Sequence, residues 1–302
     1  MKKNNLFFYP ITIIGMFFWG MSFIWVKIML NYYGPFTVIT LRMAISVILM
    51  ILIDKAFFKK SEKIDRKDYK YFALLAFFEP FLYFVFEGYG INLVSSTIAS
   101  VIIGTIPVFS PLFAYLFYKE KLTVFGLIGL IVSFAGVCIM VLDSKFAFIY
   151  SKAGIGLMFG AVFSTVFYVL VVKKIGIRYK PLTVIRYQNT IGLFYFLPFF
   201  GIIEFKQFVS VQLNSELVIT LLLLAIFPST LSFITYNISL NKIGIGRTNL
   251  FTNLIPVFSG IFSYIILKEH FDLKKIIAMV IIIAGVTLAQ VTPQKEKIII
   301  EY

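Results

Sequence analysis

Glu79, Tyr83 and Glu87 follow one another at intervals of four residues inside an apolar stretch, so a helix through them stacks all three on one face. Charge inside so apolar a segment is expensive, which makes each carboxylate a functional candidate. A carboxyl in an apolar cavity suits proton exchange or capture of a cationic group. Glu79, near the middle of its stretch, is the candidate coupling or ammonium-binding carboxylate. The alternative is a structural ion pair with Arg42, which residue counting puts at similar depth in the preceding stretch. Lys27 either pairs with Glu87 or reaches out to lipid headgroups, and headgroups are favoured; Arg186 is expected to snorkel as well.

Prolines add a second kind of candidate, because each removes a backbone donor and frees a carbonyl one turn earlier. Pro107 and Pro256 are expected to kink two apolar segments. Ser100 and Gly104 precede the first, Asn249 and Asn253 the second, each pair at helical spacing. They either line a cavity or allow close helix packing. Pro80 and Pro228 form another pair, with Ser229, Ser232 and Tyr236 following the latter on one expected face. Trp19, Tyr83, Tyr89, Phe167 and Tyr168 could cage a quaternary ammonium, although most of the 36 Phe residues are packing filler. The single His270, beside Glu269, reads as a surface or capping residue and argues against a metal site. The lone Cys138 excludes an intrachain disulfide. There is no phosphate-binding loop, no His-Glu-x-x-His and no Gly-x-Ser-x-Gly. Neither an enzyme nor an ATP-driven pump is expected, and no cofactor is.

The elements that must position these groups are membrane helices. The chain has 302 residues, 60% hydrophobic and 14% charged, with a mean hydropathy of +0.94. Soluble domains hold about 25% charged residues. Apolar blocks of about 17–25 residues match the roughly 30 Å hydrocarbon core. Ten spans fit: about 10–30, 35–53, 70–88, 95–118, 123–142, 154–172, 181–202, 217–240, 247–267 and 273–291. Of the 28 Lys and Arg, about 19 fall in loops on the side of the N-terminus and about six on the other, which predicts both termini in the cytoplasm. That distribution also explains the net charge of +14 without a nucleic-acid partner. The basic loop 54–70 reads as a cytoplasmic anchor.

The chain is internally duplicated. Ile106-Pro107-Val108-Phe109-Ser110 recurs as Ile255-Pro256-Val257-Phe258-Ser259, and the register then holds through Lys119-Glu120 and Lys268-Glu269 to Gly136-Val137 and Gly285-Val286. About 13 of the 34 positions from Gly104 to Val137 are identical in the second copy. Five spans separate equivalent positions, an odd number, so the second copy is inverted. The expected units are a first repeat over 6–143, a second over 153–291 and a cytoplasmic tail over 292–302.

Trp19-Gly20-Met21-Ser22-Phe23 with Lys27, Pro35 with Arg42, and Ile106-Pro107 through Glu120 with Gly136-Val137, in order and in duplicate, resemble the EamA-like family of the drug/metabolite transporter superfamily. The second half departs from the pattern. Phe163-Ser164 stands where a Trp–small pair is commoner, and Gln188 stands opposite Arg42, so a sixth-helix Trp cannot be carried over. The resemblance implies a basket in which helices 1, 3, 4, 6, 8 and 9 surround a central cavity while 5 and 10 pack at the far side. Relatives move amino acids, other metabolites, nucleotide sugars or cationic drugs.

The reading is therefore an all-α integral membrane protein of ten transmembrane helices in two inverted five-helix repeats. It is expected to be a secondary carrier in the cytoplasmic membrane, an exporter of amino acids or related small metabolites working by alternating access. Its partners would be a small-molecule substrate, protons as coupling ion and the lipid bilayer, with monomer or homodimer left open. Transport of cationic compounds is the alternative within that class; a membrane scaffold without transport lies outside it.

Overall fold

A chain in hydrocarbon must satisfy its own backbone hydrogen bonds, and this one does so almost entirely with helices. In the computed structural model, which describes residues 8–57, 62–119, 123–142, 148–175, 178–179, 181–243, 248, 251–270 and 272–290, nine helices are long and apolar enough to cross a membrane. They are α1 (Phe8–Met29), α2 (Pro35–Ala56), α3 (Arg66–Leu93), α4 (Ser96–Tyr118), α5 (Val124–Val141), α6 (Lys152–Val172), α7 (Leu182–Ser210), α8 (Ser215–Tyr236) and α10 (Leu273–Gln290). The shorter apolar helix α9 (Leu254–Ile266) completes the ten. Local chemistry sets several starts. Ser95, Thr123 and Asn214 cap α4, α5 and α8, their side chains accepting from the amides of Ile98, Gly126 and Leu217. Among the described residues the only β feature is an isolated bridge between Leu142 and Phe148.

The two copies also match in local geometry. Lys119 and Lys268, paired by the duplication, both adopt left-handed backbone, with φ of 57° and 54°. The halves interlock by exchange: α1 packs on α8 and α9 of the second half, and its counterpart α6 packs on α3 and α4 of the first. Helices α2 and α7 pack on each other across the seam, as do α5 and α10. At that last contact the backbones touch. A Cβ on Gly129 would lie 2.5 Å from the amide of Ala289, and one on Gly285 would lie 2.5 Å from the amide of Ser133. The opposite faces of the pair, including Val124, Ile131, Phe134, Leu273 and Val280, are exposed, as lipid-facing surface should be.

Breaks in the helices bear on the site. Segments Phe77–Leu82, Phe200–Glu204 and Phe227–Leu231 are π-helical, and α3 and α7 run past the expected 70–88 and 181–202. In α4 the helix stops at Ile103 and restarts at Ile106, one residue before Pro107. A turn at Asn253 likewise precedes Leu254, two residues before Pro256. Both proline-associated breaks thus fall at equivalent places.

Several polar groups expected to face lipid headgroups hold the helix ends together instead. Arg186 is ion-paired with Asp54 and donates to the Glu62 carbonyl at 3.0 Å. Loop 54–70 is accordingly more than an anchor, since buried Asp68 also accepts from Tyr179 at 2.7 Å and pairs with Arg178 at 3.3 Å. Lys27 does not reach outward; its Nζ donates to the carbonyls of Ile91 at 2.5 Å and Val94 at 3.1 Å, at the carbonyl-rich end of α3. At the same face Glu204 and Glu269, both from the second half, seat the starts of α2 and α4 in the first. Glu204 accepts from the amides of Phe36 and Thr37, and Glu269 from those of Ser96 and Thr97.

Candidate substrate site

The site is built around the kink of α3. A residue before proline is pushed out of the helical region, and Glu79 is: its φ and ψ are −143° and 115°, with a cis peptide to Pro80. Glu79 therefore leaves the face expected for it. Tyr83 and Glu87, beyond the kink, do share a face, and the Tyr83 hydroxyl donates to Glu87 Oε1 at 2.8 Å. The equivalent kink in α8 is stabilised from within, because Ser229 and Thr230 donate to the Leu224 and Ala225 carbonyls, each at 2.8 Å. Each kink is also held by the first helix of the other half. Trp19 Nε1 donates to the Pro228 carbonyl at 3.2 Å, and Ser164 Oγ donates to the Phe78 carbonyl at 2.6 Å.

Between the two kinks lies a small cavity lined by Met43 and Ser46 of α2, Glu79, Pro80 and Phe84 of α3, Gln188 and Asn189 of α7, and Ser229 and Phe233 of α8. The cavity therefore engages α2 and α7, which the expected ring of helices 1, 3, 4, 6, 8 and 9 omitted. The α4–α9 side is closed by packing, with the Cγ of Pro256 3.6 Å from where a Cβ on Gly104 would stand. Phe109, Phe113 and Phe163 fill the space toward α6.

Arg42 is buried and does not pair with Glu79. No carboxylate comes within ion-pair distance of it among the described residues. Its Nε donates to Ser229 Oγ at 3.0 Å, its guanidinium lies 4.5 Å from the centre of the Phe84 ring, and Glu87 and Tyr83 supply the compensating field. Among the described residues no cation pairs with Glu79. Thr165 of α6 stands beside it, yet Glu79 Oε2 and Thr165 Oγ1 are both buried and without a hydrogen-bond partner. Gln188 Oε1 is in the same condition, and the Gln188 amide lies beside the Tyr168 hydroxyl.

Of the remaining sequence candidates, Trp19 and Tyr236 meet with ring centres 5.2 Å apart, and Tyr168 and Tyr236 both lie within the electrostatic reach of Glu79. Phe167 stacks on Phe78 at 5.5 Å, one residue from Glu79. Tyr89 sits apart, against Phe36. The α8 stripe is divided: Ser229 lines the cavity, whereas Ser232 is fully buried and donates to the Gly15 carbonyl at 3.0 Å. Ser100 is fully buried with its hydroxyl on the Thr97 carbonyl, and Asn253 donates to Thr287 of α10 at 3.0 Å. Those two, with Gly104, lie outside the lining of the cavity, and Gly104 stands against Pro256 where α4 meets α9. Asn249 lies outside the described residues. Thr165 and Gln188 were not among the sequence candidates, although the substitution of Gln188 for an Arg at the paired position was a signal.

The profile of the EamA-like transporter family matches residues 6–142 and again 152–290. The chain belongs to the EamA-like transporter family. Two uncharacterized transporters of Archaeoglobus fulgidus are 26% and 28% identical to it, over 89% and 91% of this chain and 93% and 94% of theirs. The uncharacterized transporter YetK of Bacillus subtilis is 24% identical, over 88% of this chain and 82% of its own. A solved crystal structure shares the fold with a TM-score of 0.65 at 16% identity, covering 93% of this chain and 95% of that one. Family and relatives indicate a multi-pass membrane transporter rather than an enzyme. Within that family architecture, α5 and α10 pack together away from the cavity, as the resemblance implied.

Proposed function

We propose that this protein is a secondary carrier of the cytoplasmic membrane that exports amino acids or related small metabolites by alternating access, with protons as the coupling ion. The observation that carries the reading is Glu79, a carboxylate with no cation paired to it among the described residues, set at a helix kink in a cavity between the two halves. Such a group can take up a proton or a substrate ammonium, and losing one for the other couples the two movements. The repeats are taken as 6–143 and 153–291 with a tail over 292–302, and both termini as cytoplasmic, on the asymmetry of Lys and Arg between loops.

The test is flux in liposomes containing the purified protein, with a panel of amino acids and metabolites and imposed pH gradients. Saturable counterflow together with acceleration by a proton gradient is expected, and Glu79→Gln should abolish the gradient response. Proton-driven flux that survives Glu79→Gln removes the coupling role. A second reading, transport of cationic compounds, is favoured by the aromatic surroundings of Glu79, namely Trp19, Tyr168 and Tyr236. It predicts that organic cations, not zwitterions, drive the counterflow.

A further inference from the structure

We propose that Glu79, Thr165 and Gln188 form a three-acceptor seat for an ammonium group that carries its own N–H donors, so that the site selects a primary ammonium over a quaternary one. The inference rests on the carrier reading above and narrows its substrate class. Three buried oxygens have no hydrogen-bond partner: Glu79 Oε2, Thr165 Oγ1 and Gln188 Oε1. Glu79 and Gln188 line the same cavity, and Thr165 stands beside Glu79. An unmet buried acceptor is costly, so a cluster of them is a demand for donors from something not fixed in the fold. The nearby cation is taken, since Arg42 is engaged by Ser229 and Phe84; the neighbouring donors are neutral hydroxyls, Thr165 beside Glu79 and Tyr168 beside Gln188.

A proton on Glu79, or the Thr165 hydroxyl turned toward it, adds one donor and no charge, and leaves Gln188 Oε1 unmet. A primary ammonium brings three N–H donors and a positive charge, matching three acceptors of which one is a carboxylate. A trimethylammonium brings the charge without the donors, and would leave Thr165 and Gln188 stripped of water and unpaired. Sites built to hydrogen-bond a group reject analogues that lack it much more strongly than apolar pockets discriminate size. The seat also draws on three helices, α3 and, from the other half, α6 and α7, so that bound ammonium bridges the repeats. Gln188 is the specificity-determining member. It holds the position that Arg42 holds in the first half, and an Arg there would repel the ammonium.

The experiment is calorimetric titration of the full-length protein in lipid nanodiscs. The probes are neutral L-amino acids, their decarboxylated primary amines and the N,N,N-trimethyl analogue of each. Primary ammonium compounds should bind at least tenfold more tightly than their trimethyl analogues. Gln188→Leu and Thr165→Val should each weaken primary ammonium binding about tenfold and leave trimethyl binding unchanged. Gln188→Glu, which keeps an acceptor oxygen, should retain the preference. If Gln188→Leu does not fold, the near-isosteric Thr165→Val carries the same comparison. Trimethyl compounds binding as tightly as the amines, no primary ammonium binding at all, or both variants binding within twofold of wild type would overturn the seat. Amine binding without counterflow sinks the carrier reading and leaves the seat standing. Saturable counterflow of a compound with no N–H donor does the reverse.

Discussion

Replacing Glu204 by Ala measures how strongly the two halves are joined at the face away from the chain termini. Glu204 is 5% exposed, and its carboxylate receives the Phe36 amide at 3.2 Å, the Thr37 amide at 2.6 Å and the Thr37 hydroxyl at 2.8 Å. It thus caps α2 from a helix of the other repeat, where a negative charge also complements the helix dipole. Hydrogen bonds to charged groups contribute about 1.5–3 kcal/mol each, but water entering the space left by Ala would re-satisfy part of what is lost. The expected net destabilisation is about 2–4 kcal/mol, above the roughly 0.5–2 kcal/mol of an ordinary cap because three donors are stranded together. Unfolding by titrated SDS in mixed micelles, followed by near-UV circular dichroism, reads this directly. Thr37→Val removes one of the three bonds and should cost about 1 kcal/mol. In the double variant that cost should vanish, giving a coupling of similar size. A Glu204→Ala loss below about 0.5 kcal/mol, or additive single effects, would show that the cap contributes nothing and refute the reasoning.

Further outcomes follow from other contacts. In a Cys138→Ser background, Lys121→Cys and His270→Cys should react with impermeant thiol reagents from opposite sides of the membrane; labelling from one side would dissolve the inverted repeat. Asp54→Asn should cost about 2–3 kcal/mol in the same unfolding titration, because it removes the charge paired with Arg186, which keeps the Glu62 carbonyl and the Tyr187 ring. Exchanging the pair as Asp54→Arg with Arg186→Asp should recover at least half of that, and no recovery would mean the pair is incidental. Gly285→Leu forces a side chain into the Ser133 backbone 2.5 Å away and should abolish a monodisperse peak on size exclusion, whereas Val280→Ala on the exposed face should leave it intact.

The architecture was legible because bilayer physics leaves few choices. Hydropathy gave ten spans, and the repeat of Ile106-Pro107 at Ile255-Pro256 marked a pair of breaks that the backbone displays at Gly104–Thr105 and Asn253. What helical periodicity could not give was the direction of Glu79, since its spacing from Tyr83 presumes an unbroken helix and Pro80 breaks it. A residue before proline favours extended backbone, and at Glu79 that turns the side chain off the helix face where Pro80 packs against Gly192 of α7. Partners were harder still. Arg42 with Ser229, Arg186 with Asp54, and Lys27 with the carbonyls of α3 all join distant segments. Depth along a span says how far a charge lies from water, not which helix stands next to it. The two readings of the α4 and α9 small residues stay open in sequence for a related reason: such residues serve a cavity wall and a tight helix crossing equally well, and only the structure sets Gly104 against Pro256.

The seam between the halves has a property that matters for any motion across it. Each proline kink exposes a carbonyl in the other half's direction, and the partner's first helix meets it: Trp19 on Pro228, Ser164 on Phe78. Under the carrier reading, swinging α1 away from α8, or α6 away from α3, strands one of these carbonyls. A stranded buried carbonyl costs about 1–3 kcal/mol, so the parting surfaces cannot open dry. Water or substrate must enter as the donor leaves, which links opening of either face to wetting of the cavity beside Glu79. Trp19→Phe keeps the ring and deletes that donor, so it lowers the barrier to parting α1 from α8 without touching the contact between α6 and α3. An asymmetric change in solvent accessibility, confined to the α1–α8 side, is the consequence. A change that appeared equally on both sides would mean that the two latches act through the kinks as one unit, not as separate contacts.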